Sequence, residues 1–148
     1  MGSVAREIWI DAPIERVYGT IVDVDRYAEF VPGVRACRFL REAGGTRHVE
    51  YDVDLGLRRA RYVLAHREER PSRVSWSLVS GDLFKRSDGS WELSPERGGT
   101  RARYTLDVQV AKPALVPQAV VDRLVEELTR VQLPQTLEAF RKRAEGAA

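Results

Sequence analysis

Residues 117–144 read PQAVVDRLVEELTRVQLPQTLEAFRKRA, and the fold turns on what covers this stretch. Val120, Leu124, Leu128 and Val131 recur at spacings of four, four and three, which places them on one face of a helix. Val121 and Val125 widen that stripe, while Glu126, Glu127, Arg130, Glu138, Arg141, Lys142 and Arg143 keep the remainder wet. In any earlier turn Pro117 would leave the carbonyl of Pro113 unbonded, so regular turns are predicted to begin near Pro117. Gly146 stands where a C-terminal stop belongs. At 1.5 Å per residue the element is about 40 Å long, enough to cross a small domain. Pro134 falls inside the pattern, and Leu133, Leu137 and Phe140 form a second apolar row. That row is about half a turn out of phase with the first. A kink at Pro134 is predicted to turn both rows toward one body; the alternative is a partner chain on the second row.

The body that receives this helix lies upstream, where the period becomes two. Thr46 to Leu55 alternates Val49, Tyr51, Val53 and Leu55 on one face with His48, Glu50, Asp52 and Asp54 on the other. Gly56-Leu57 reads as a two-residue hairpin loop. That loop sets Asp54 opposite Arg59 and Asp52 opposite Arg61 on the wet face. It sets Val53 opposite Ala60, Tyr51 opposite Tyr62 and Val49 opposite Leu64 on the dry face. Val34 to Arg41 precedes as a strand, with Gly44-Gly45 as its turn. Arg73 to Ser80 follows with Val74, Trp76 and Leu78 inward. Phe84 to Leu93 is ambiguous by pattern, because Asp88-Gly89 also reads as a turn. Gly98-Gly99 is a turn, and Thr100 to Val110 points Ala102, Tyr104, Leu106, Val108 and Val110 inward.

Before this series, Val4 to Asp11 reads as a strand. Asp11-Ala12-Pro13 opens a helix carrying Ile14, Val17, Tyr18 and Ile21, and Asp23 or Asp25 is placed to cap a second one through Tyr27 and Phe30. The count is about seven strands, six of them consecutive, hence an antiparallel sheet with one apolar face. The long helix is the only element large enough to cover it. The predicted class is α+β, one domain spanning 1–148, with a seven-stranded sheet curved around the C-terminal helix.

Composition narrows the function. The chain has 148 residues, 43% hydrophobic and 31% charged, with a net charge of +2. These are ordinary values for a soluble domain, and the charge is too small to argue for DNA. MGSVAREIWI has no signal-peptide core and no run reaches membrane-spanning length, so a cytoplasmic location is expected. Cys37 is alone, which excludes an internal disulfide framework. His48 and His66 have no cysteine or carboxylate at ligand spacing, so neither a metal nor a cofactor is expected. There is no nucleophile elbow or phosphate loop. What remains is the aromatic content of the dry face: Tyr51, Tyr62, Trp76, Trp91 and Tyr104, with Tyr27 and Phe30 from the short helices. Core packing explains most of these, yet each tyrosine hydroxyl needs a partner. His66 shares the parity of Tyr62 and Leu64. Polar tips on an apolar lining describe a small-molecule cavity as well as a core.

The order strand, two short helices, six strands, long helix resembles the helix-grip fold of the START and polyketide cyclase superfamily, in particular its coenzyme Q-binding and ribosome-association-toxin branch. The resemblance is carried by Ala12-Pro13-Ile14-Glu15-Arg16-Val17-Tyr18, by Asp23-Val24-Asp25-Arg26-Tyr27-Ala28-Glu29-Phe30-Val31-Pro32, by Gly81-Asp82-Leu83-Phe84, and by Gly89-Ser90-Trp91-Glu92-Leu93-Ser94-Pro95 with Gly98-Gly99-Thr100. It implies that Gly89 and Trp91 share one strand. It also implies an elongated apolar cavity between sheet and helix, for an isoprenoid quinone, a lipid or a polyketide-like aromatic. The expected lining is Tyr27, Phe30, Val49, Tyr51, Val53, Tyr62, Leu64, Trp76, Leu78, Trp91, Tyr104, Leu106, Leu124 and Leu128. Carriage of an apolar ligand is the first expectation. A polyketide cyclase or dehydrase using His66 or Tyr62 is the second. The third is transient ribosome or membrane contact through outward arginines such as Arg59, Arg61, Arg67, Arg101 and Arg103.

Overall fold

The computed structural model describes residues 2–54, 59–81, 83–111 and 116–146. Strand β1 (Gly2–Ile10) is followed by helix α1 (Ile14–Val22), a 3-10 turn (Val24–Arg26) and helix α2 (Tyr27–Phe30). Six strands succeed them: β2 (Val34–Ala43), β3 (Thr46–Asp54), β4 (Arg59–Glu69), β5 (Arg73–Gly81), β6 (Phe84–Glu96) and β7 (Gly99–Val110). The sheet runs β1-β7-β6-β5-β4-β3-β2 with every neighbour antiparallel. Strands β1 and β2, consecutive in the chain, therefore sit at opposite edges. The two short helices carry the chain between those edges, which is why they are needed.

The β3–β4 register is the predicted one: Asp54 faces Arg59, Asp52 faces Arg61, Tyr51 faces Tyr62 and Val49 faces Leu64. Its turn, Gly56-Leu57, lies outside the described residues. Gly89 and Trp91 do share strand β6, so Asp88-Gly89 is not a turn. Gly89 has a packing reason to be glycine. A Cβ there would lie 2.5 Å from the Trp76 indole and 2.4 Å from the Thr105 carbonyl. Neither aspartate expected to cap α2 does so; Asp23 pairs with Arg26 at 3.3 Å, and no side-chain cap bond forms at either short helix.

The C-terminal helix departs from the expectation in an informative way. Helix α3 (Gln118–Glu126) continues through a π-helical segment (Glu127–Gln132) into helix α4 (Leu133–Gly146). The Leu133 amide donates to the Leu128 carbonyl, five residues back. This wider turn, rather than a kink at Pro134 alone, corrects the phase. The buried row runs Leu124, Leu133, Leu137, Phe140 and Ala144, with Val121, Val125 and Leu128 packed beside it. Past Leu128 the spacing is five, then four, three and four: one extra residue rotates the second row onto the first row's side. Pro134 explains the location. In a regular helix its ring would press on the Arg130 carbonyl, and a wider turn just before it relieves that clash. The Thr129 hydroxyl donates to the Val125 carbonyl at 2.9 Å, at the start of the wide turn.

Two positions placed on the first row are corrected. Val120 and Val131 are 52% and 43% exposed, because the stripe that meets the sheet is centred on Leu124 and Val125. The second row needs no partner chain; it is the core. Helix α4 is also tied down at its end, where the Arg16 guanidinium donates to the Ala144 carbonyl at 2.9 Å, favourable at a helix C-terminus. Phe140→Ala is expected to cost about 3–5 kcal/mol, while Val131→Ala stays within about 0.5 kcal/mol, as read from urea unfolding.

Candidate functional site

Between the sheet and the long helix the structure leaves a chamber of about 180 Å³. Strands β3 to β7 form its floor through alternate inward residues. The helix closes it with Leu128, Gln132, Leu133, Thr136 and Phe140. The loop after α2 supplies Val31 to Val34 at one end. Phe140 is the hub of the aromatic packing, with ring centroids 5.3 Å from Tyr27, 5.2 Å from Phe30 and 5.3 Å from Trp91. Tyr51 stacks on Tyr62 at 5.2 Å, and Tyr104 meets Trp91 edge-on at 4.9 Å. Rings of this size, held at offset and edge-on distances, leave gaps that smaller side chains would close.

Most of the residues expected around a cavity are brought together here. Tyr27, Tyr51, Val53, Tyr62 and Leu64 line it, as do Trp76, Trp91, Tyr104, Leu106 and Leu128, and the imidazole of His66 joins them. Four expected positions lie elsewhere. Val49 is fully buried, and Leu124 is sealed into the packing of α3. Leu78 packs at the edge of the core, nearer the end of β5. Phe30 faces outward over α4, with the Arg143 guanidinium 4.9 Å from its ring.

Sequence reasoning missed Ser87, Gln132 and Thr136, which also line the chamber. Ser87 was legible, since it has the parity of Gly89 and Trp91 once β6 is continuous. Gln132 and Thr136 were not, because the π turn that aims them is invisible to a fixed helical period.

The chamber is polar only at points, and none of those points is charged. No Asp, Glu, Lys or Arg is among the described residues that line it. The Tyr27 hydroxyl donates to the Ile21 carbonyl. Tyr51 Oη and His66 Nε2 lie 2.8 Å apart. No hydrogen bond to the described residues occupies the hydroxyls of Tyr62 and Tyr104. Burial raises the pKa of Tyr27, Tyr51, Tyr62 and Tyr104 above the usual phenol value. It pushes the Cys37 thiol beside Tyr51 up to about 12. Burial, assisted by the nearby Arg47 charge, holds His66 down to about 4. At neutral pH every one of these groups is uncharged.

The arginines stand outside. Arg61 pairs with Asp52 at 3.3 Å, and Arg101 and Arg103 both reach Glu7, at 2.6 and 3.4 Å. Arg47, which shares the inward parity of Val49, is turned aside to Glu68 and the Val22 carbonyl. Among the described residues, no helix is long and apolar enough to cross a membrane, and no three His, Cys, Asp or Glu side chains converge as a metal site would require.

Comparison with known proteins bears on this arrangement. The family model described as polyketide cyclase / dehydrase and lipid transport matches residues 10–135. The persistence and stress-resistance toxin PasT of Escherichia coli O6:H1 (strain CFT073) is 24% identical over 110 residues, 74% of this chain and 69% of that protein. A START superfamily protein from Mycobacterium smegmatis superposes with a TM-score of 0.80 at 21% identity, covering 99% of both chains. The Zhui aromatase/cyclase from Streptomyces sp. R1128 superposes equally well, TM-score 0.80 at 18% identity, over 99% of this chain and 98% of its own. At such identities the structural likeness speaks for the helix-grip fold alone.

The depressed His66 basicity has a consequence for stability. Unfolded, this imidazole takes up a proton as pH falls through 6.5; folded, it does so only near 4. Between those values the unfolded chain binds more protons. The contribution of His66 is therefore complete above pH 6.5 and lost as pH falls toward 4. In urea unfolding across that window, His66→Phe is expected to lose up to about 1.4 kcal/mol less per pH unit than the unaltered protein.

Proposed function

Because the chain belongs to the polyketide cyclase / dehydrase and lipid transport family, we propose that it holds an apolar small molecule, ring end inward, in the chamber between sheet and helix. The observation that carries this reading is the chamber itself, apolar in its bulk and uncharged at every polar point. At about 180 Å³ it exceeds the roughly 150 Å³ that takes up benzene. It falls short of the roughly 300 Å³ at which pockets for drug-sized ligands begin. One ring therefore fits within, and a tail would have to leave past the helix. Burial of apolar surface, at about 25 cal/mol per Å², drives such binding. The free hydroxyls of Tyr62 and Tyr104 orient a polar edge. A quinone head, a lipid carrying a ring and a polyketide-like aromatic all meet this description.

Carriage is favoured over catalysis by the same electrostatics. A general base works best with a pKa near the working pH, whereas His66 sits near 4 and the phenols far above neutrality. A second reading, a cyclase or dehydrase acting on a poly-β-ketone through His66 or Tyr62, is supported by the family and by the unprotonated imidazole on the chamber wall. An unchanged product profile for both Tyr62→Phe and His66→Ala would remove it.

Carriage is tested by fluorescence and by extraction. Trp76 and Trp91 line the chamber, while Trp9 lies outside it with 42% exposure. An alkyl-substituted benzoquinone is expected to quench the tryptophan emission saturably. That quenching should persist in Trp9→Phe and vanish in the Trp76→Phe, Trp91→Phe double variant. Organic extraction of purified protein should release an apolar compound detectable by mass spectrometry. Unsaturable quenching together with an empty extract rules the reading out.

A further inference from the structure

A second space lies under the other half of the long helix. Between α3 and the ends of β6 and β7 the structure leaves a cleft of about 500 Å³. The strands supply Lys85, Gln109 and Val110 to its wall, and the helix supplies Gln118, Val121 and Val125. None of these residues lines the chamber. The volume falls within the roughly 300–1,000 Å³ of small-molecule sites.

The cleft exists because α3 is seated at one point. Its buried side chain is Leu124, 6% exposed. Val121 and Val125 lie to either side, one helical turn apart, about 6 Å. Both pack against the core and both line the cleft, and both stay half-buried. The inner face of α3 thus keeps apolar area that the sheet does not cover and that a ligand would remove from water.

The charge at the cleft is placed by an irregularity in the sheet. Phe84 pairs with Val110 and Arg86 with Gln109, so Lys85 is an extra residue in β6 with no partner across the ladder. A bulge of this kind bends its strand and re-aims a side chain. Lys85 lines the cleft, and no hydrogen bond or ion pair to the described residues engages its ammonium or the Gln109 carboxamide. The neighbouring charge is spoken for: Arg86 pairs with Asp88 at 2.9 Å and with Asp107 at 3.2 Å. Gln118 gives its amide to Asp122 at 2.9 Å. No Asp or Glu is among the described residues that line the cleft. One uncompensated cation and one free amide therefore stand beside an apolar wall, which matches a single negative charge on an apolar body.

We infer that this cleft is a second binding site, for a small monoanionic amphiphile: Lys85 and Gln109 hold a carboxylate, and a short alkyl chain lies on Val121 and Val125. The site goes beyond the chamber reading and does not depend on it. A cationic amphiphile meets Lys85 as a like charge, and a neutral one leaves it unpaired.

The experiment titrates octanoate, octanol and octylammonium, each below its micellar concentration, into the full chain with labelled valine methyls and tryptophan indoles. NMR reads Val121 and Val125 for the cleft and Trp76 and Trp91 for the chamber. Octanoate should shift the two valines saturably, octanol more weakly, and octylammonium not at all. Lys85→Gln should weaken octanoate at the valines about two- to fivefold, the range of one exposed ion pair, and leave octanol unchanged. Lys85→Arg should keep the affinity. Added salt should weaken octanoate in the unaltered protein and not in Lys85→Gln. Lys85 is exposed, so these variants keep the fold. Equal valine shifts with octylammonium, or octanoate binding that ignores Lys85→Gln, overturn the inference. Octanoate that moves only the indoles overturns it and leaves the chamber reading standing. Valines that move while the indoles stay still support the cleft and not the chamber.

Discussion

One turn of helix holds the architecture together. The sheet has a single apolar face, and the chain offers one long helix to cover it. The apolar rows in the two halves of that helix point in opposed directions for any regular winding. The five-residue turn from Leu128 to Leu133 removes the conflict by adding a residue without adding a loop. Leu133, Leu137 and Phe140 then enter the same core as Leu124. Without the wide turn, either half could be buried, but not both.

That turn also divides the helix into unequal parts. Helix α4 contributes four buried residues and is fixed to α1 by Arg16, to the β1–α1 connection by Glu145 and to α2 by Arg143. Helix α3 contributes Leu124 alone. The π-helical segment between them has no buried residue, although Leu128 and Gln132 reach the chamber. The firmly held half builds the aromatic knot around Phe140 and, together with the π-helical segment, closes the chamber beside it.

The chamber owes its chemical character to the separation of charge from ring. Acidic and basic side chains are spent on cross-strand pairs on the convex face and on ties between helices. Inside, desolvation keeps phenols protonated and the imidazole neutral, so the wall consists of hydrogen-bonding dipoles on an apolar surface. Such a wall offers hydrogen bonds without charge. It suits a family in which carriage and cyclisation are hosted by one scaffold.

The sequence by itself determined the run of strands, the β3–β4 register, the inward parity of Tyr51, Tyr62, Trp76 and Tyr104, and the need for a covering helix. Each of these follows from a period of two or from a charge pair directly across a strand, which are local and repeat along the chain. Tertiary structure alone decided which face of the helix is buried, that Val120 and Val131 are exposed while Gln132 and Thr136 reach the chamber, and that His66 Nδ1 has no partner among the described residues. Those outcomes depend on one inserted residue in a helical turn and on side chains distant in sequence meeting at ångström separations. A periodic pattern carries no record of either.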